Sequence, residues 1–361
     1  MVRFLSVTVV LLFLIISSCE KDPSGYYIDQ PYPWETSTPE EQGLDSNILS
    51  GIFNQAINKP YIYSTLIIRN GFIVAEKYYN GFDANNAYHV MSVTKSFTSA
   101  LIGIAIREGY INNLNQSVLD FFPEYVTPNM DPRKSSITIR HLLTMTAGFD
   151  YYENETVGIY ESSNWVKSTI DLPLKNNPGE RFNYNTPASH VLSAIITKVT
   201  GMSTFEFAQK FLFKPLNINI RNWMKDPQGY FIGGFGMSFM PRDLARFGFL
   251  YLNSGLLDNK QILPSDWVQQ SIQIQIGVTS VWGVMNDIGY GFLWWSGKIN
   301  NYSVFLALGY GGQIILIFPD LNIIYVATSD GKYSVDDADE HEREVIKLAA
   351  DYILPAVMNS N

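Results

Sequence analysis

Cysteine is almost absent from the chain: its 361 residues hold one, Cys19, close to the start. A disulfide within the chain is therefore excluded, and so is a site built on several thiolates. Histidine is scarce as well. His89, His141, His190 and His341 are scattered without a metal-ligand spacing, each reads as a helix or loop residue, and no metal is expected. Basic residues number 25 against 34 acidic ones, for a net charge of −9 and a pI near 5.0. A phosphate backbone needs clustered lysine and arginine, which the chain lacks, so no nucleic-acid partner is expected. There is no Gly-x-Ser-x-Gly elbow, which removes the usual α/β-hydrolase signature. No glycine-rich loop precedes a lysine, so nucleotide use has no support and no cofactor is expected. Internal repeats are also missing.

What is present describes a folded body. Hydrophobic residues make up 46% and charged ones 16%, and the aromatic share of 14% supplies large side chains for a core or a pocket. This length houses one large mixed domain or two lobes. The first residues read as a targeting segment: Arg3 is a short positive start, Phe4 to Ile16 is nearly all apolar, and Ser17 and Ser18 precede Cys19. The apolar run is too short to span a bilayer comfortably. Ile16-Ser17-Ser18-Cys19 resembles the lipobox of bacterial lipoproteins, which implies a signal peptide over 1–18, acylation of Cys19 and a lipid-anchored tether over 19–43. The expected location is periplasmic or cell-surface, on a membrane. The alternative is an incidental Cys19 with conventional cleavage nearby. If Cys19 is acylated, no thiol remains to act as a nucleophile.

From Glu20 to about Glu41 the chain is rich in proline, tyrosine and acidic residues without apolar periodicity, and ordered structure is expected near Asp45 or Ser46. Either residue can cap a helix whose Ile48, Leu49, Ile52, Phe53 and Ala56 recur at helical spacing. Two β-rich runs, Ser64–Ile68 and Phe72–Tyr79, are joined by Asn70-Gly71, a dipeptide that favours a tight hairpin. Helical periodicity follows at Ser92–Glu108, Thr138–Met145, Pro187–Val199 and Thr204–Phe213, with Gly109 and Gly201 where helix C-caps belong. Strand-like runs return at Tyr290–Trp295, Ser303–Leu308, Gln313–Phe318 and Asn322–Ala327, and a last helix spans about Ala338 to Leu354. This order predicts an α+β fold: an antiparallel sheet made from both chain ends, flanked by N- and C-terminal helices, with an all-helical lobe inserted. The folded domain is expected over 44–357, its α/β lobe from about 44–91 and 233–357 and its helical lobe from about 92–232.

The chemistry centres on Ser92-Val93-Thr94-Lys95. If Ser92 opens a helix, Lys95 lies on the same face one turn on, and the two side chains can meet. A serine hydroxyl needs a base, and a lysine becomes one only when desolvation or a neighbouring cation lowers its pKa. The helix N-terminus also favours negative charge on the attacking oxygen. The tetrapeptide pattern alone is weak, since Ser18-Cys19-Glu20-Lys21 matches it at the signal boundary. On that pattern alone, the leading reading is Ser92 as an N-cap and Lys95 as a solvated helix residue.

Met91-Ser92-Val93-Thr94-Lys95-Ser96-Phe97 resembles the first motif of the serine β-lactamases and penicillin-recognising enzymes, especially the class C-related esterases and nylon-oligomer hydrolases. Further segments agree in order along the chain: Ile139 to Gly148, Pro178 to Thr186, Pro241 to Gly248 and Tyr290 to Trp295. The resemblance implies a β-lactamase/transpeptidase-like fold and a serine hydrolase with Ser92 as nucleophile and Lys95 and Tyr184 as proton-transfer partners. A phenol needs a cationic neighbour to act as phenolate, and Lys95 would supply it.

Two departures bear on substrate. Where many members carry Tyr-x-Asn, this chain has Tyr184-Asn185-Thr186, and the Lys-Thr-Gly motif is replaced by Gly309-Tyr310-Gly311-Gly312-Gln313. The cation that would hold a β-lactam carboxylate is therefore missing. The glycines allow backbone N–H groups to approach a substrate oxygen, and the oxyanion hole is assigned to the N–H groups of Ser92 and Tyr310. The same glycines also suit a bulged turn between strands. Asn185, Thr186, Gly309, Gly311, Gly312, Gln313 and Trp294 are the pocket candidates; Trp294 and Trp295 alternate along a strand, so one can face the pocket while the other is core. Turnover of a small ester or amide is the first expectation. A cell-wall D-peptidase or β-lactamase, and a non-catalytic penicillin-binding-like protein, stand as alternatives.

Overall fold

The computed structural model describes residues 32–153, 158–279 and 282–358. Cys19 and the expected signal peptide lie outside the described residues.

The first helix, α1 (Ser46–Ala56), begins where Asp45 accepts hydrogen bonds from the Asn47 and Ile48 N–H groups, and it buries Leu49, Ile52 and Ala56. Strands β1 (Ile62–Arg69) and β2 (Phe72–Tyr78) follow as an antiparallel hairpin. Asn70 and Gly71 turn it with φ of 52° and 88°, the left-handed pair that suits the twist of the two strands. Six more strands come after the central part of the chain: β3 (Ile276–Gly277), β4 (Met285–Tyr290), β5 (Trp295–Ile299), β6 (Tyr302–Gly309), β7 (Gln313–Phe318) and β8 (Ile323–Ser329). The sheet runs β2-β1-β8-β7-β6-β5-β4-β3 with antiparallel neighbours, so β1 from one end of the chain pairs with β8 from the other.

Both faces of this sheet are covered, and the period-2 alternation of the strands feeds two separate cores. Ile314 and Leu316 of β7 pack with α1 and the C-terminal helix α5 (Val335–Leu348), whereas Ile315 and Ile317 face the other core. That second core is shared with α2 (Val93–Arg107), α3 (Thr186–Thr200) and α4 (Pro241–Leu252). Gly201, at φ 68°, ends α3 as its spacing foretold, and Gly109, at φ 77°, follows the end of α2.

Three expectations need correction. The chain joins the body before Asp45: Ile73 N–H donates to the Glu35 carbonyl, Ser37 N–H donates to the Ile73 carbonyl, and the Trp34 ring sits edge-on to Phe249 with its Nε1 3.2 Å from the Arg242 carbonyl. Residues 35–37 thus cover the free edge of β2 at Ile73, and the segment 32–43 packs on the body rather than forming part of a tether, because an open strand edge and the half-buried Tyr32 and Trp34 offset the low periodicity that suggested a linker. The inserted lobe is not purely helical, since Asn222–Trp223 pairs with Met237–Phe239, which pairs in turn with Tyr88–His89 just ahead of Ser92. Finally, Tyr290–Trp295 is not one strand. Leu293 has φ 59°, and residues 291–294 link β4 to β5.

Candidate active site

Ser92 sits at the junction of the small three-stranded sheet and α2. Val90 N–H donates to the Met237 carbonyl, and short turn bonds from Val93 to Val90, Thr94 to Met91 and Lys95 to Ser92 wind the chain into the helix. Met91 takes a φ of 47°, rare for a residue with a long side chain, which aims the next residue out of the regular path. The Ser92 side chain does not cap α2. Its Oγ instead accepts a hydrogen bond from Lys95 Nζ at 2.8 Å, so the two side chains meet across one helical turn.

Lys95 is 1% exposed, and its Nζ also donates to the Gly234 carbonyl at 3.0 Å. Burial pulls its pKa from the usual lysine range down to about 8, with the negative charge of Glu153 acting in the opposite sense. The amine lies 4.8 Å from the centre of the Tyr184 ring. Gly234 must be a glycine for this approach: a Cβ there would fall 2.7 Å from Thr186 Cγ2 and 2.8 Å from the Thr186 carbonyl oxygen.

Tyr184 is held from both sides of the chain. Asn183 N–H donates to the Met145 carbonyl at 2.8 Å, and its amide donates to the carbonyls of Phe149 and Tyr151 at 3.0 and 2.9 Å. On the other side, the Asn185 side chain accepts from Ala188 N–H at 2.8 Å and caps α3. Burial and the Glu153 charge push the Tyr184 phenol above its ordinary range, and hydrogen bonding with Ser92 opposes that rise. The ring stacks on Trp295 at 5.9 Å between centres.

Several pocket candidates are used by the fold itself. Trp294 is fully buried between Tyr251 and Phe305, and the ring beside Tyr184 is Trp295, because the Leu293 turn breaks the alternation assumed for a continuous strand. Gln313 is buried and exchanges bonds with the Ser329 N–H and carbonyl. Asn185 points into its own helix, and Thr186 donates to Glu153 from both its N–H and its hydroxyl. Gly311 and Gly312 have φ of 80° and 97° and back onto Asp330, Ser329 and Val345, so they serve the turn between β6 and β7. Gly309 does lie by the site: a Cβ on it would meet the Val90 carbonyl oxygen at 2.5 Å and Met91 Cβ at 3.1 Å. That contact brings the start of the Tyr310 turn beside the residue preceding the serine. Gly311 N–H donates to the buried Glu342 at 3.3 Å and Tyr310 Oη to the Tyr333 carbonyl at 2.9 Å, which steadies the turn.

Sequence reasoning missed Glu153 and Gly234, and of the two adjacent tryptophans it favoured Trp294 over Trp295. The adjacent Gly233-Gly234 pair was a legible hint of a close backbone approach; Glu153 carried no local signal. The histidines are occupied in structural contacts: His141 completes the capping box of Ile139–Leu143, buried His190 pairs with Asp226 at 3.0 Å, and His341 stacks on Tyr61. Among the described residues no group of three His, Cys, Asp or Glu is placed to hold a metal.

An antiparallel sheet built from both chain ends, with a serine and a buried lysine at the mouth of an inserted lobe, defines the hydrolases of the β-lactamase fold. The sequence profile of the family described as Beta-lactamase matches residues 63–350, and the chain belongs to that family. It is 28% identical over 303 residues to an uncharacterized protein of Alkalihalophilus pseudofirmus, a match covering 73% of this chain and 82% of that protein. It is 26% identical over 221 residues to the 6-aminohexanoate-dimer hydrolase of Paenarthrobacter ureafaciens, covering 56% of this chain and 55% of the relative. Among solved structures, EstCE1, a hydrolase with promiscuous acyltransferase activity, superposes with a TM-score of 0.68 at 19% identity over 85% of this chain and 98% of that one.

Proposed function

We propose that this hydrolase is a serine enzyme that turns over esters or small amides through a covalent acyl-enzyme. The observation that carries the reading is the 2.8 Å contact from Lys95 Nζ to Ser92 Oγ, made by a buried lysine whose pKa falls to about 8. Lys95 in its neutral form takes the Ser92 proton as Oγ bonds to the carbonyl carbon. The oxyanion rests on the N–H groups of Ser92 and Tyr310. The proton then passes from Lys95 by way of the Tyr184 hydroxyl to the leaving oxygen or nitrogen, and the carbonyl–heteroatom bond breaks. Water repeats the sequence in reverse roles and frees Ser92. The upward shift of Tyr184 supports a relay that stays a phenol, with Lys95 as the immediate base. The missing Lys-Thr-Gly cation favours neutral esters and amides over cell-wall peptides or β-lactams, and the 6-aminohexanoate-dimer hydrolase among the relatives supports the same class.

Mixing with p-nitrophenyl acetate is expected to release a burst of nitrophenol equal to the enzyme, with one acetyl group added in intact mass and mapped to Ser92. An acetyl group on another residue overturns the assignment.

We further propose that the chain is an exported lipoprotein anchored through Cys19, as Ile16-Ser17-Ser18-Cys19 suggests. Expressed in a bacterium fed labelled palmitate, the protein is expected to take up label and sediment with membranes, and Cys19→Ala to lose both. Label retained by Cys19→Ala is the contrary result.

A further inference from the structure

We propose that Glu342 is a positioning residue for catalysis: from helix α5 it holds the turn whose Tyr310 N–H receives the oxyanion, so that losing its hydrogen bond weakens stabilisation of the tetrahedral transition state while Ser92 and Lys95 stay in place. This rests on the oxyanion hole proposed above.

Glu342 is 7% exposed, and its Oε1 accepts the Gly311 N–H at 3.3 Å. The Gly311 carbonyl in turn accepts from Ser329 Oγ at 2.6 Å, at the end of β8, and Ser329 is itself fixed by its N–H to Gln313 Oε1 at 3.1 Å. Both backbone groups of Gly311 are thus tied, one to a helix and one to a strand. A third bond closes the turn, because Gly312 N–H donates to the Gly309 carbonyl at 3.1 Å. That carbonyl belongs to the same peptide group as the Tyr310 N–H. Across a planar trans peptide the two point in opposite directions, so a carbonyl turned into the loop aims the N–H out of it. No backbone carbonyl among the described residues accepts the Tyr310 N–H, and Gly309 lies against Val90, two residues before Ser92. The donor is left unused beside the segment that carries the nucleophile.

The burial of a carboxyl group at this place needs a reason. Among the described residues no lysine, arginine or histidine pairs with Glu342 as a salt bridge. An apolar side chain would be cheaper to bury, so a polar one answers the need of the Gly311 N–H for an acceptor. Burial and the charge of Asp339 push the Glu342 pKa up to about 8, against the Gly311 hydrogen bond and Arg343. At pH 7 the group is therefore mostly the neutral acid, and glutamine reproduces its shape and its carbonyl acceptor.

The test compares p-nitrophenyl acetate at pH 7 with its thiono analogue, in which sulfur replaces the carbonyl oxygen. Sulfur is a weak acceptor and gains little from N–H donors. With each kcat/KM divided by the ester's rate with hydroxide, the oxygen-over-sulfur ratio reads the oxyanion hole rather than the nucleophile or the base. The wild type is expected to favour oxygen by about 10²-fold. Glu342→Leu, which fills the space without an acceptor, is expected to lower that ratio about tenfold while thermal unfolding stays cooperative. Glu342→Ala is read in its place if the leucine is not accommodated. Glu342→Gln is expected to stay within about threefold of the wild type, since it keeps the hydrogen bond. A plain loss of folded enzyme slows both esters alike and leaves the ratio where it was. A wild-type ratio in the folded variant that lacks the acceptor, or a ratio that falls as far in Glu342→Gln, overturns the proposal and leaves the oxyanion hole standing. A wild-type enzyme with a ratio near one overturns the oxyanion-hole reading, and the proposal with it.

Discussion

Ser92→Ala is expected to lower kcat on any ester substrate by at least about 10⁴-fold, leaving at most the weak residual catalysis that backbone donors and binding supply without a nucleophile. The substitution removes one oxygen, and that oxygen is the acceptor of the Lys95 hydrogen bond. The helix gives up no cap, because the serine side chain makes none, so α2 should survive the change. The result therefore separates chemistry from folding: thermal unfolding stays cooperative while turnover disappears. Fluorophosphonate labelling followed by intact mass gives a second readout, with one adduct in the wild type and none in the variant. A variant that turns over esters at the wild-type rate eliminates Ser92 as nucleophile.

In the proposed mechanism Lys95 is expected to govern the pH response. Burial lowers its pKa from the ordinary lysine value of 10.5 to about 8, so below that pH the ammonium dominates and has no lone pair to take the serine proton. Above it the neutral amine dominates. The rate of Ser92 acylation should thus rise from pH 6 and level off above about pH 8, the sign expected for a base with a depressed pKa. Lys95→Ala is expected to cut kcat/KM by about 10³-fold and to erase that rising limb. Lys95→Arg should be as inactive, since a guanidinium stays charged at every accessible pH and cannot accept the proton. The same rising limb in Lys95→Ala would assign the titration to another group.

Glu153 adds a condition to this profile. Its charge holds the Lys95 pKa up against burial, so neutralising it should shift the rising limb to lower pH. The sign follows because a nearby negative charge stabilises the lysine ammonium by Coulomb attraction, and its removal lets the neutral amine appear at lower pH.

Much of the fold was legible because its signals are local. The Asn70-Gly71 turn, the Asp45 cap and the apolar stripe of α1 each depend on a few neighbouring residues, and all three are found where the sequence places them. The Ser92–Lys95 pair belongs to the same class. Its two side chains meet because one helical turn brings them together, whatever else the chain does. Tyr184 became legible through the family resemblance, which stores a tertiary contact as a recurring local pattern.

The misreadings have a common cause. Trp294 and Trp295 could be ordered by strand alternation only if the strand were unbroken, and the left-handed backbone of Leu293 swaps which ring reaches Tyr184. Glycines 311 and 312 suit a substrate approach and a tight turn equally, and only the packing of Ser329, Asp330 and Val345 behind them decides for the turn. Residues 32–43 look like a linker until the open edge of β2 and the body beside it give them a surface to pack on.

The sequence by itself determined the helix and hairpin units, the Ser-x-x-Lys pair and the absence of thiol chemistry beyond Cys19, since each follows from residue type and short spacing. The tertiary structure alone decided that Lys95 is buried against Ser92, that Trp295 rather than Trp294 stands beside Tyr184, and that Glu153 bonds Thr186 next to them. Burial and through-space charge depend on which distant segments the fold brings within a few ångströms, and no local pattern in the chain encodes those distances.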